Sequence, residues 1–220
     1  MKWFAKHIVF GCFISIGFAA CDGTDVTFTE PQPSGVKEVL KFKRKFTGDY
    51  LSISDSSVLH ISKSAITQIW DFEIEVDSNH SIQDATNNIS VNTDEGDLQI
   101  QASEDSTNYR VHYSHEVFTV SNEMVLKYVD HTYFLNFQED TDSWDVKTVY
   151  FDTDGFLQIH DLNLSPADLE KLKSITSVSE ETDTEGKVVD YHIQPTKKEL
   201  SQIMNSNLFE DGEKFVRIRK

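Results

Sequence analysis

His112 and His115, with Glu116 beside them, are side chains of the kind that ligate a borderline metal such as zinc. A spacing of three brings two imidazoles together on a helix, whereas on a strand an odd spacing sends them to opposite faces. Tyr109, Val111 and Tyr113 alternate with polar neighbours, so the segment reads as a strand and the two histidines as separate. Asp152-Thr153-Asp154-Gly155 has the acidic spacing of the first half of a calcium loop. The further ligand before the glycine and the closing bidentate glutamate are missing, and Asp-Gly between apolar runs reads instead as a hairpin turn. Asp140-Thr141-Asp142 and Asp94-Glu95 read the same way, as solvated turns. With 37 acids in the chain, a carboxylate pair for glycoside cleavage has many candidates, and none stands out. Gly-x-Ser-x-Gly, P-loop, dinucleotide and His-Glu-x-x-His motifs do not occur. The chain therefore reads as non-catalytic, with no cofactor and no metal.

One dense basic segment stands against a formal charge of −17: Lys41, Lys43, Arg44 and Lys45, interleaved with Leu40, Phe42 and Phe46. It is expected to form an amphipathic strand or a short helix. Its cations are the candidate contact for an acidic partner or for lipid phosphates. The acidity of the rest argues against nucleic acid, whose phosphates would be repelled.

These groups must be positioned mainly by strands. From about residue 46 to 160 the hydrophobic period is two, as in Tyr50-Leu51-Ser52-Ile53, Val58-Leu59-His60-Ile61 and Tyr109-Arg110-Val111-His112-Tyr113. Longer runs start at Ile69, Tyr133 and Trp144, and Asp-, Ser- and Gly-rich clusters separate them. Phe137, Trp144, Tyr150 and Phe151 read as core. The pattern predicts a mainly β fold, an antiparallel meander forming a barrel or sandwich. Two short C-terminal helices are expected near 165–173 and 196–205. Ser165-Pro166 starts the first, and Thr196-Lys197-Lys198-Glu199 is a capping box for the second. Val188–Ile193 and Phe215–Ile218 are strand candidates between and after them.

At the N-terminus Lys2 and Lys6 precede the apolar stretch Ile8–Gly17, followed by Phe18-Ala19-Ala20-Cys21. The stretch is shorter than a membrane-spanning helix requires and has the layout of an export signal. Phe18-Ala19-Ala20-Cys21 resembles the lipobox of bacterial lipoproteins. That resemblance implies cleavage after residue 20 and diacylation of Cys21, leaving no free cysteine in the mature body. Residues 1–20 are then a signal peptide, 21–40 a lipidated N-terminus with a flexible tether, and 41–220 a single β-rich domain. Phe46-Thr47-Gly48-Asp49-Tyr50, opening the strand-rich region, is similar to the Gly-x-Tyr start of lipocalin-like lipoproteins of Bacteroidota.

The function expected from these features is that of a non-catalytic, lipid-anchored envelope protein serving as an accessory subunit of a membrane assembly. Its partners are the membrane, through the N-terminal lipid, and another envelope protein; its place is the outer membrane, facing the periplasm or the surface. A lipocalin-like carrier of a small apolar or glycan ligand is the alternative, and a glycan hydrolase using Asp or Glu the third.

Overall fold

The computed structural model describes residues 26–75, 89–93, 96–102, 108–162, 164–206, 208–209 and 212–219. Cys21 and the export segment lie outside them. Among the described residues the chain runs β1 (Val26–Phe28), β2 (Gly48–Ser52), β3 (Val58–Ile61), β4 (Ala65–Glu75), β5 (Ile89–Thr93), β6 (Gly96–Ala102), β7 (Asn108–Thr119) and β8 (Met124–Val129). It continues through β9 (Thr132–Asp140), β10 (Ser143–Phe151), β11 (Leu157–His160), α1 (Pro166–Ile175), β12 (Val178–Thr182), β13 (Val188–Ile193), α2 (Lys197–Asn205) and β14 (Glu213–Arg217).

The mainly β architecture with two short helices agrees with the sequence reading, but the strand order is not a simple meander. One sheet runs β12-β13-β1-β10-β11-β14-β2-β3-β4-β7-β6-β5 and stays open, with β9 and then β8 branching from β10. All pairs are antiparallel except β1 with β13, which are parallel, with Thr27 opposite His192. Beyond Ile69 the ribbon of β4, β7, β6 and β5 leaves the core. There Val111 is the one buried residue among those described.

The branch explains the burial. On β8, β9 and β10 successive side chains enter opposite cores. Leu126, Tyr133, Leu135 and Val149 join Phe46, Tyr50, Phe118 and Phe215 inside the curled β2–β3–β4–β7 half. Val125, Phe134, Trp144 and Val146 join Leu169, Leu172, Leu200 and Ile203 from the helices. A layer covered on both sides needs apolar residues at every position rather than every second one, which is why Tyr133-Phe134-Leu135 is continuous. Both helices carry full capping boxes, Ser165 with Asp168 and Thr196 with Glu199. Each hydroxyl accepts from the N3 amide while the N3 carboxylate takes the cap amide, so two otherwise orphaned donors are satisfied.

The expected flexible tether over 21–40 is corrected for its described part. Val26 and Phe28 are buried in the helical core, and Gln32 and Pro33 are buried as well. Val39 N–H donates to Leu126 O at 2.8 Å. Asn136, wholly buried on β9, accepts from Gln32 N–H and donates to Gln32 O and Val125 O, both at 3.0 Å. Lys127 on β8, 6% exposed, points its ammonium at Pro31 O (2.6 Å) and Pro33 O (3.1 Å). Burial pulls the Lys127 pKa down, opposed by the nearby Glu30 and Glu38. The prolines read as a loose linker because their contribution is through carbonyls, which composition does not display.

Asp55, in the β2–β3 turn, shows a linkage to pH. Burial raises its pKa, but hydrogen bonds from the Ser57 amide, the Ser57 hydroxyl and the Trp70 indole outweigh it and leave the value at about 2. A folded-state pKa below the ordinary value of about 3.9 gives stability that is present above pH 4 and lost as pH falls toward 2. In acid titrations followed by tryptophan fluorescence, Asp55→Asn is expected to flatten the stability slope over that window. Superimposable slopes would show that the carboxylate is not linked to folding.

Candidate functional site

The basic segment is neither strand nor helix: residues 41–47 form an irregular loop closed by a turn at 44–46. Its two aromatic residues explain the shape. Phe42 and Phe46 are 3% and 0% exposed, and both rings meet Tyr133 edge-on, at 4.9 and 4.8 Å between centroids. With two inward anchors four residues apart, the residues between them have to face outward. Phe46 N–H donates to Lys43 O, the Thr47 hydroxyl to Arg44 O, the Tyr50 hydroxyl to Phe46 O, and Lys43 N–H to the Tyr133 hydroxyl at 2.6 Å. The loop is therefore braced from four directions.

Lys41, Lys43, Arg44 and Lys45 are all exposed, and none forms an ion pair among the described residues. The Lys43 ammonium sits 3.5 Å from the centre of the Tyr128 ring, and that of Lys45 5.0 Å from the Phe46 ring. Leu40 beside them is 77% exposed. Two further cations border the loop from distant sequence. Lys63 O accepts from Phe42 N–H, and the Arg217 guanidinium donates to Thr47 O while lying 5.2 Å from the Tyr50 ring. The sequence displays only the contiguous four, because Lys63 and Arg217 arrive through the β3–β4 turn and β14.

The other sequence candidates resolve into structural roles. His112 pairs with Asp71 at 2.7 Å across β4 and β7, and β7 is regular between residues 112 and 115, which keeps the two histidines on opposite faces. The Asp152 carboxylate accepts from Asp154 N–H, Phe156 N–H and the Gln158 amide of its own hairpin and pairs with Lys214 on β14 at 3.4 Å. The Asp-Gly turn reading therefore holds. Trp144 is buried, Phe137 and Phe151 pack against the core of the β2–β3–β4–β7 half, and Tyr150 stacks on His160.

One constellation was missed. On the face of β12–β13–β1 turned away from the helices, His192 Nδ1 lies 2.8 Å from the Thr27 hydroxyl and Nε2 3.0 Å from Glu181 Oε2. Asp190 Oδ2 lies 3.8 Å from Nδ1 and 3.3 Å from the Thr27 hydroxyl. Glu181, Asp190 and His192 can bring three ligand atoms within 4.8 Å of one another. The cleft above them is also lined by Thr29, Asp140, Asp142 and Ser143. Residues 27, 181 and 192 meet only through the parallel β1–β13 pairing and the β12–β13 hairpin, so no sequence spacing announces them.

The interior of the β half is filled: Phe42, Phe46, Tyr50, Phe118, Tyr128, Tyr133, Phe137 and Phe151 form a continuous ring-to-ring cluster. A smaller pocket of about 200 Å³ lies between the β8–β9 hairpin and α2, lined by Val129, Phe134, Leu200 and Met204. Among the described residues no helix is long and apolar enough to cross a membrane. Comparison with protein-family models, curated proteins and solved structures finds no match to this chain.

Proposed function

We propose that this chain is a non-catalytic, lipid-anchored envelope protein, held through Cys21 at the outer membrane, that serves as an accessory subunit by docking on the acidic surface of another envelope protein. The observation that carries the reading is the braced loop at 41–45. Four exposed cations, without ion-pair partners among the described residues, are held on two buried aromatic anchors in a chain of formal net charge −17. Leaving such charges unpaired in the free protein favours a partner that supplies carboxylates, and complementary charge acts mainly by steering encounter. The filled aromatic interior supports this reading over a lipocalin-like carrier, since a carried ligand needs room between the strands.

The test is co-purification of the tagged protein and its partner in mild detergent, with the triple variant Lys43→Glu, Arg44→Glu and Lys45→Glu beside the parent. The variant should lose association by about tenfold or more, with the loss largest at low salt and residing in the association rate. Exposed charges contribute little to stability, so its thermal unfolding should match that of the parent. An equal yield of the same complex from the variant at every salt concentration would remove the loop from the interface.

A further inference from the structure

We infer that Glu181, Asp190 and His192 form a binding site for a borderline divalent cation of the zinc type on the outer face of the β12–β13 hairpin. His192 lies between a hydroxyl and two carboxylates. Its Nδ1 is 2.8 Å from the Thr27 hydroxyl, which itself stands 3.3 Å from Asp190 Oδ2. The hydroxyl serves either tautomer of the ring, donating to a bare Nδ1 or accepting from Nδ1–H. In the Nδ1–H tautomer the Nε2 lone pair faces Glu181 Oε2 at 3.0 Å, and a cation between the two is held by both.

The surroundings fit the metal. Zinc bonded at roughly 2.0–2.2 Å to imidazole nitrogen and carboxylate oxygen needs ligand atoms roughly 3.3–3.5 Å apart, so Nε2 and Glu181 Oε2 are nearly in place. Asp190, directly opposite Glu181 across the hairpin, supplies the third ligand, a second carboxylate, within reach. A ligating histidine characteristically donates its other N–H to an oxygen that fixes the ring, and the Thr27 hydroxyl beside Nδ1, with Asp190 beyond it, is placed to take that N–H when Nε2 binds the ion. The open side faces the polar cleft, where Asp140 and Asp142 stand on the β9–β10 turn. In the same cleft Thr29 Oγ1 is shielded from solvent and has no hydrogen-bond partner among the described residues, a place for a metal-bound water to donate. Imidazole among the donors selects zinc or a neighbouring transition ion over calcium or magnesium, which prefer oxygen alone. The site shares no residue with the basic loop and does not depend on the docking function.

The experiment is calorimetric titration of zinc chloride, and of calcium chloride in parallel, into the purified full chain at neutral pH. Zinc should bind at one ion per chain and calcium should give no saturable signal. His192→Ala and Glu181→Gln should each weaken zinc binding by about tenfold or more, while His131→Ala in the β8–β9 turn should leave it unchanged. Circular dichroism identifies any variant that has failed to fold. Glu181→Gln removes a ligand charge without removing bulk, so it stands as the second variant should His192→Ala disturb the hairpin. Absence of zinc uptake by the parent, or uptake that both ligand variants retain, would overturn the site and leave the cluster an ion pair only.

Discussion

Replacing Asn136 with alanine should destabilise the protein by about 3–4 kcal/mol, more than its size suggests. Asn136 is wholly buried, and its amide is the only side chain that satisfies the Gln32 peptide on both its N–H and its C=O among the described residues. Alanine would leave the Gln32 N–H and C=O without that partner in a region closed to water, and would open a cavity between β9 and the segment 29–33. Each buried polar group left unpaired costs about 1–3 kcal/mol, and the cavity adds to it. Urea unfolding should show a lower midpoint at unchanged slope, with a thermal midpoint down by roughly 6–16 °C. A loss under about 1 kcal/mol would mean that the segment 29–33 is not held by this amide.

The second large effect is expected from Phe46→Ala, at about 3–5 kcal/mol. Phe46 is fully buried and its ring meets Tyr133, Tyr128 and Phe151. Its loss also releases one of the two anchors that turn Lys43, Arg44 and Lys45 outward. The variant should therefore lose partner association in the co-purification assay with every cation still present. Phe46→Leu refills most of the volume and should recover most of the stability. If Phe46→Ala unfolds at the parent's urea midpoint, the loop is held by something other than its ring.

Much of the architecture could be read from the chain because it depends on local pattern. Strands with one wet face alternate in sequence, as at Tyr50–Ser52 and Tyr109–Tyr113, and capping chemistry placed both helices to within two residues. What escaped notice depends on partners far away. Val26-Thr27-Phe28 is three residues long and becomes a strand only because β13 and β10 flank it. Val178–Thr182 has no hydrophobic period at all; its exposed Ser-Glu-Glu run is extended because β13 pairs with it. Lys127 and Asn136 interrupt apolar strands as polar residues, and only the carbonyls and amide of the prolyl segment show why. The basic loop could be read as a charge cluster, but its shape could not, since Phe42 and Phe46 are anchored by Tyr133 from another hairpin.

The position of β1 also sets a timetable. Thr27 and His192, hydrogen-bonded neighbours in the finished sheet, are separated by 165 residues. A ribosome adds about 5–20 residues each second, so roughly 8–33 s pass between the synthesis of the first strand and that of its last partner. Until β10 is made Val26–Phe28 has two unsatisfied edges, and until β13 is made it still has one. The earliest of the described strands is thus among the last to be fully seated. Completion of this molecule waits on nearly the whole chain, and any holding factor that meets it early finds its N-terminal strand still free.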